Sequence, residues 1–146
     1  MSKRITQFAL VVIFTIYLIA FSNCKKEEHL SDILTSKTWK RGSVDLNPST
    51  NPAGEYQYYP IWYCDTDDKY TFSKDGNLVI ERGANKCEPD EIQTETLLYS
   101  IDRETNILII DSTTYILAEE SETQIKYYIL VPHGTNLTNY VIFLLQ

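Results

Sequence analysis

The sequence has few of the residues, and none of the motifs, on which enzymes usually rely. Only two histidines occur among its 146 residues, His29 near the N-terminus and His133 in a late predicted loop. The signatures Gly-x-Ser-x-Gly and His-Glu-x-x-His and a phosphate-binding glycine loop are all missing. Nucleophilic and general acid/base catalysis therefore lack suitable groups, and we expect no enzyme activity, no catalytic residue and no cofactor.

Basic residues are also scarce, and they do not cluster. The chain has 13 Lys and Arg against 20 Asp and Glu, which gives a formal net charge of −7. An acidic surface of this kind repels nucleic-acid phosphates, and no local group of Lys and Arg residues offsets the repulsion. We therefore expect no nucleic-acid partner.

Long apolar runs are missing too. The most apolar stretch covers residues 8–21, whereas a transmembrane helix needs roughly 20 apolar residues. Lys3 and Arg4 precede this stretch, and Phe-Ser-Asn-Cys closes it. A charged start, a short apolar segment and such an end are the layout of a secretory signal peptide. We predict that residues 1–23 are removed and that the mature chain begins at Cys24.

Cys24 stands where a bacterial lipoprotein carries its acyl chains. A cysteine directly after the cleavage point, followed by the charged residues 25–28, resembles a lipoprotein signal. The resemblance implies a membrane partner, reached through N-terminal acyl chains and a tether at residues 24–29, because two or three chains anchor a protein firmly. It places the protein in the cell envelope, and we favour the outer membrane, on its periplasmic face or at the cell surface. The alternative is an uncleaved signal anchor in which Cys24 is an ordinary buried thiol.

Two further cysteines, Cys64 and Cys87, are expected to form a disulfide bond. An exported protein meets an oxidising compartment, where an even pair of cysteines is interpreted first as a disulfide. The bond would close a loop of about 24 residues. Two free thiols and a metal-binding pair are the alternatives, and the second is disfavoured because neither histidine lies at a usual ligand spacing from the cysteines.

The remaining chain predicts one all-β domain over residues 30–146. Leu30, Ile33 and Leu34 have helical spacing, with Ser31 able to cap, which predicts one or two helical turns. Tyr, Ile and Thr are then abundant, which favours strands. Short loops separate most of the runs, so consecutive strands should pair in an antiparallel meander. The eight β-rich runs are 37–45, 67–73, 77–82, 94–101, 106–111, 113–119, 124–131 and 139–145.

Several late strands are apolar on both faces. The second run alternates apolar and polar residues, as expected for a strand with one buried face, but residues 107–110, 129–131 and 141–145 do not alternate. Their outer faces must be covered by the helical turn, by the long segment 46–63 or by a partner. Closure of the sheet into a barrel would leave no exposed edge strand.

The acidic residues Asp65, Asp67 and Asp68 suggest a calcium site, because hard cations take clustered carboxylates. The EF-hand pattern fails, however, since Tyr70 stands at its glycine position and Gly76 at its bidentate glutamate. We therefore expect a solvated acidic loop and no metal.

Residues 56–63 form the densest aromatic stretch, with four tyrosines and Trp62. Aromatic rings on a loop can stack on sugars or close over an apolar ligand, because they supply contact area with few rotatable bonds. They can also cover a barrel mouth or an outer strand face as ordinary packing, which is the interpretation we favour.

One set of spaced residues spans much of the chain. The pattern consists of Leu34-x4-Trp39, then Cys64-x3-Asp68-x-Tyr70-x-Phe72-x3-Gly76, and a returning Cys87. Over residues 30–146 it resembles one known family, the small bacterial lipocalin-like lipoproteins of the Gram-negative cell envelope. The resemblance implies an eight-stranded antiparallel up-and-down barrel, with Trp39 on the first strand near the closed end and the two cysteines paired beside the second and third strands. Members of the family mostly lack an assigned activity.

Two functions fit such a protein. In the first, the barrel binds a small apolar or amphipathic ligand in a shallow pocket at its open end, because inward tyrosines, Tyr140 among them, fill most of a barrel of this size. In the second, a non-enzymatic interaction module docks an envelope protein or a surface glycan through its aromatic loop and outer strand faces, which requires a large exposed apolar patch. The residues expected to contact a ligand are Tyr59, Trp62, Tyr70, Phe72, Tyr99, Tyr115 and Tyr127.

Overall fold

The structure is a computed structural model that describes residues 32–133 and 137–146. The predicted signal peptide, the tether and the lipidation site Cys24 lie outside the described residues, as do Leu30 and Ser31. Asp32–Gln146 form one compact unit. Within the described ranges, no helix is long and apolar enough to span a membrane.

One mixed sheet of eight strands is the main element of the described chain, which confirms the expected all-β class. A short helix, α1 (Asp32–Thr35), precedes it, and two 3-10 helices, Pro48–Thr50 and Tyr63–Asp65, flank the first strand. The order across the sheet is β1-β8-β7-β6-β5-β4-β3-β2. The strands are β1 (Tyr56–Tyr58), β2 (Lys69–Phe72), β3 (Asn77–Glu81), β4 (Thr94–Asp102), β5 (Ile107–Ile110), β6 (Thr113–Glu120), β7 (Ile125–His133) and β8 (Leu137–Leu145).

Strands β2 to β8 follow one another as an antiparallel meander. They correspond to seven of the eight predicted runs. Tight turns join them where residues adopt positive φ, as hairpin turns require. Gly76, between β2 and β3, has a φ of 83°, and Asp111 and Ser112, between β5 and β6, have φ values of 44° and 67°.

The prediction of a first strand at residues 37–45 is wrong. Its residues make only two isolated bridges, one between Trp39 and Tyr70 of β2 and one between Arg41 and Leu145 of β8. After these bridges the chain leaves the sheet edge and crosses the outer face. There the Leu46 amide donates a hydrogen bond to the side chain of Gln124, the residue just before β7. The strand that completes the set of eight is instead β1, which lies in the aromatic segment that the sequence analysis assigned to a loop.

The expected closed and wholly antiparallel barrel is also corrected. β1 runs parallel to β8, because the long segment 43–55 returns the chain across the sheet before β1 begins. β1 occupies the edge of β8 at residues 140–142, and segment 39–42 occupies the same edge at 144–146. No continuous ladder therefore joins β8 to β2, and the sheet is not closed as a barrel.

The buried face of the sheet surrounds Trp39, whose side chain has no exposed surface. Its indole Nε1 donates a hydrogen bond of 2.8 Å to the Leu34 carbonyl oxygen. This bond holds α1 against the core. The buried apolar side chains of the core are Leu34, Trp39, Tyr70, Phe72, Leu78, Ile80, Leu108, Ile110, Leu117, Ile125, Tyr127 and Leu145.

Segment 43–61 covers the outer face of β7 and β8 around Lys126, Ile142 and Leu144, and it overlaps one of the three predicted covers. Ile142 and Leu144 alternate with the core-facing residues of β8 and are nevertheless buried. The Tyr59 amide bonds to the Ile142 carbonyl oxygen at 2.8 Å, and the Gly42 amide bonds to that of Leu144 at 2.9 Å. The doubly apolar sequence of β8 is explained by this second layer.

A buried ammonium group anchors that layer. Lys126 of β7 has no exposed surface, and its Nζ donates to Asp45 Oδ2 at 2.9 Å and to the Asn47 carbonyl oxygen at 2.6 Å. It also reaches Thr50 Oγ1 at 2.9 Å and Asn51 Oδ1 at 2.7 Å. These oxygens supply the compensation that a buried cation requires.

Candidate functional site

Arg41 lies at the centre of a cluster of aromatic rings. Its guanidinium carbon is 5.0, 5.2 and 5.5 Å from the ring centroids of Tyr59, Tyr70 and Phe143, within the range of cation–π contacts. Its Nε donates a hydrogen bond to the Tyr70 hydroxyl at 3.2 Å. The Arg41 cluster is defined here as Arg41, Tyr59, Tyr70, Tyr115, Tyr127 and Phe143.

Phe143 of β8 joins the rings of this cluster. It stacks on Tyr127, its partner on β7, at 5.2 Å, and on Tyr59 at 4.7 Å. Tyr115 of β6 meets Tyr127 and Phe143 edge-on, with centroids 5.1 and 5.6 Å apart. Stacked and edge-on geometries of this kind are the favourable ones for aromatic pairs. The rings therefore hold the guanidinium in a defined position.

The environment keeps Arg41 charged and its tyrosine neighbours neutral. Burial acts to lower the pKa of Arg41, but Tyr127, Tyr70 and the carboxylate of Asp65 raise it, and the pKa ends above its ordinary value. Burial raises the pKa of Tyr127 to about 12 and also raises the pKa of Tyr70. At neutral pH the cluster carries one positive charge.

No carboxylate pairs with Arg41 among the residues that the structure describes. The ion pairs in that part of the chain involve Arg82, Arg103 and Lys126, whereas the contacts of Arg41 are with rings and hydroxyl groups. A guanidinium has five N–H donors. Arg41 therefore retains capacity for an anionic partner.

A groove of about 260 Å³ opens beside the Arg41 cluster. It lies where β1 and segment 39–42, which share the edge of β8, diverge from each other. Arg41 and Tyr59 line the groove and also belong to the cluster. The volume is slightly below the range of roughly 300–1,000 Å³ that is usual for drug-sized ligands. Its apolar walls are formed by Pro60, Ile61, Ile142 and Leu144.

The structure brings together four of the seven side chains predicted to contact a ligand, namely Tyr59, Tyr70, Tyr115 and Tyr127. Phe72 and Tyr99 form a separate edge-on pair at 4.9 Å, and the Tyr99 hydroxyl donates to the Ser73 carbonyl oxygen. Trp62 is 61 % exposed and does not line the groove. Tyr140, expected inside, is on the outer face, where its ring meets Tyr128.

Sequence reasoning missed Arg41 and Phe143. A signal for Arg41 was present, because side chains two positions apart share a strand face and the large apolar Trp39 was placed on the first strand. By the same rule Lys40 faces the other way, and it is exposed. Phe143 lies in a run that is apolar on both faces, so alternation could not assign it to one side.

The predicted disulfide between Cys64 and Cys87 is confirmed, with Cα atoms 5.1 Å apart. Asp65 lies beside it, and these three residues bring metal-ligating atom types within 4.8 Å of one another. Because both sulfur atoms belong to the disulfide, neither can bind a metal as a thiolate. The cysteines therefore have a structural role.

The acidic cluster is less solvated than expected. Asp68 is only 1 % exposed and pairs with Arg82 at 2.7 Å. Asp67 accepts hydrogen bonds from the amides of Ala84 and Asn85 at 2.8 and 3.2 Å. The expectation of a solvated loop is wrong for Asp68, because its partner comes from the end of β3.

The outer face of the central strands is apolar and partly exposed. Ile109, Ile116 and Leu130 are 36, 37 and 49 % exposed. In the register of the sheet, Ile116 lies between Ile107 of β5 and Tyr128 of β7. An apolar stripe therefore crosses three neighbouring strands.

Comparison of the chain with protein-family models, with curated proteins and with solved structures finds no match.

Proposed function

We propose that this protein is a membrane-anchored envelope lipoprotein whose lipocalin-like domain binds a small apolar or amphipathic ligand. The observation that carries the proposal is the groove beside the Arg41 cluster, where apolar walls meet one charged side chain. Small-molecule sites are typically apolar with a few fixed polar groups. The proposed activity is binding without chemical conversion of the ligand.

Two features support the proposed location. The N-terminal sequence has the layout of a lipoprotein signal, with Cys24 at the position that would be acylated. The Cys64–Cys87 disulfide fits an oxidising compartment outside the cytosol. Together they favour the cell envelope, and the outer membrane remains the proposed membrane.

The proposal predicts that a ligand accompanies the protein from the cell. The full chain, extracted from the envelope in mild detergent, would be analysed by native mass spectrometry. We expect a discrete additional mass that disappears in an Ile61→Trp variant, because the larger side chain fills the groove. The matched control is Ile92→Trp, since Ile92 is 73 % exposed and does not line the groove.

An additional mass that survives in Ile61→Trp would place the ligand elsewhere on the protein. A bare chain in all three preparations would contradict a resident ligand. Far-UV circular dichroism of both variants separates loss of the ligand from loss of the fold.

The apolar stripe across β5, β6 and β7 supports a second candidate function. Exposed apolar stripes of this kind often mark protein interaction surfaces, so the domain could instead dock an envelope protein or a surface glycan. The test is Ile116→Lys in the full chain. Loss of a co-purifying partner, with the groove ligand retained, would favour the interaction module.

A further inference from the structure

From the position of Arg41 we infer that the groove selects amphipathic anions, with the ligand's carboxylate or similar head group held by the Arg41 guanidinium. This inference rests on the proposed ligand-binding function and specifies the ligand class of that same groove.

The positive charge of Arg41 has no carboxylate in direct contact among the described residues. Arg82, Arg103 and Lys126 each have a carboxylate within 3.1 Å or less, whereas no carboxylate pairs with Arg41 in residues 32–133 and 137–146. Asp65 attracts Arg41 electrostatically but forms no ion pair with it. A partly buried cation without an anion in contact costs free energy that an incoming anion recovers. The guanidinium fork also matches a carboxylate in geometry, because it can donate two parallel hydrogen bonds.

The aromatic rings hold Arg41 in place and leave guanidinium N–H groups for a further hydrogen-bond partner. Tyr59, Tyr70 and Phe143 contact the guanidinium through the faces of their rings. Arg41 donates hydrogen bonds to the hydroxyl groups of Tyr70, through Nε, and of Tyr127, and the remaining N–H groups of its five are left for another partner. A guanidinium positioned in advance loses little side-chain entropy when a ligand binds. The cluster therefore orients the cation for an additional partner.

Polar and apolar side chains occupy different parts of the groove lining. Arg41 lies at the border between the cluster and the groove, and Ser43 adds a hydroxyl group to the same lining. Pro60, Ile61, Ile142 and Leu144 form the apolar part of the wall. A charged site next to an apolar wall fits a molecule with an anionic head and a short apolar body.

Because the chain has a net charge of −7, an anionic ligand needs a local cation such as Arg41 in order to bind. At long range an acidic protein repels an anion, so binding must depend on a short-range contact. Uncharged molecules of the same length gain the apolar contacts and lack the head-group contact. The inference therefore predicts a preference that neither shape nor hydrophobicity explains.

The test compares three probes of equal chain length: octanoate, octanamide and octylammonium. Binding would be measured by calorimetry on the full chain in lipid nanodiscs, with protein-free nanodiscs as the blank. We expect octanoate to bind about tenfold or more tightly than octanamide, the ratio that one charge-assisted hydrogen-bonded contact supplies. Octylammonium should bind most weakly.

A pair of variants separates the contact from net charge. Arg41→Met removes the guanidinium and should abolish the preference, so that octanoate binds no more tightly than octanamide. Lys40→Met removes the same charge from the neighbouring position, whose side chain is exposed, and should keep the preference. Thermal melting of both variants checks that the fold is intact.

The outcomes distinguish the two levels of proposal. Equal affinity of the wild-type chain for octanoate and octanamide would overturn the anion selectivity and leave ligand binding in place. Binding of none of the three probes would contradict both. Should Arg41→Met fail to fold, the ratio of the probes on the wild-type chain decides alone.

Discussion

Lys126 and Asp45 form the most buried ion pair of the described chain, with side chains 0 and 5 % exposed. An ammonium removed from water needs several acceptors, and segment 45–51 supplies four of them. Burial alone would raise the pKa of Asp45, but hydrogen bonds from Lys126, the Asn47 amide, Tyr58 and Gln124 together lower it to about 2. The pair therefore makes the outer layer sensitive to acid.

The lowered pKa of Asp45 predicts a specific loss of stability in acid. Its ordinary value is 3.8, so the stabilisation is complete above about pH 4 and is lost as the pH falls through about 2. The contribution is about 2 kcal/mol. In Asp45→Asn, we expect the unfolding free energy at pH 7 to fall by about 3 kcal/mol, and its change between pH 4 and 2 to become smaller.

Urea unfolding of the wild-type chain at several pH values between 7 and 2 measures this effect. Asp90→Asn is the matched control, because Asp90 is exposed. An Asp45→Asn variant with the acid profile of the wild-type chain would contradict the assignment.

Single residues mark the limits of prediction from sequence. Alternation along β7 places Lys126 on the outer face, where an exposed lysine is the ordinary expectation. Its burial depends on the path of segment 45–51, which has no periodic pattern. Arg41 is the opposite case, because alternation puts it on the same strand face as the apolar Trp39 two residues earlier.

At the scale of elements, the Cys64–Cys87 bond joins the 3-10 helix Tyr63–Asp65 to the loop between β3 and β4. The neighbouring pair of Asp68 and Arg82 joins the chain just before β2 to the end of β3. Both links therefore join the chain before β2 to the chain after β3. The irregular chain at this end of the sheet is therefore held by a covalent and an ionic link.

Removal of the disulfide should lower stability without changing the fold. The two cysteines are 23 positions apart, and a loop of that length constrains the unfolded chain by about 3 kcal/mol. We expect Cys64→Ser/Cys87→Ser to lose about that much unfolding free energy in urea at pH 7. The wild-type chain with reductant should match it, and an unchanged unfolding midpoint in both would exclude a stabilising role.

The elements that the sequence identified are those with strong local signals. Seven strands bounded by turn residues were located within a few positions, because alternation and turn chemistry are local. The run 37–45 has a strand-like pattern, but its neighbours on both sides offer only single bridges. β1 was missed because its tyrosines are exposed and its pairing with β8 lies far along the chain.

At the scale of the whole molecule, the proposed anchor can be tested independently of the groove. Labelled palmitate supplied to cells that produce the full chain should be incorporated into the wild-type protein, because the proposed lipoprotein signal would leave Cys24 as an acylated N-terminus. Cys24→Ala should incorporate none. The Cys64→Ser/Cys87→Ser chain is the matched control and should keep the label. Incorporation into Cys24→Ala would show that the lipid is attached elsewhere, and an unlabelled wild-type chain would support the uncleaved anchor.

The bridges of segment 39–42 to β2 and β8 also bear on the order of folding. The Gln146 side chain bonds to the Val44 carbonyl oxygen, 102 positions earlier, and the Lys40 amide bonds to the Gln146 carbonyl oxygen. Contacts of such sequence separation form late and slowly. A nascent chain cannot complete these bonds until residues 144–146 have been synthesised, so the segment that carries Trp39 and Arg41 reaches its final position only once β8 is complete.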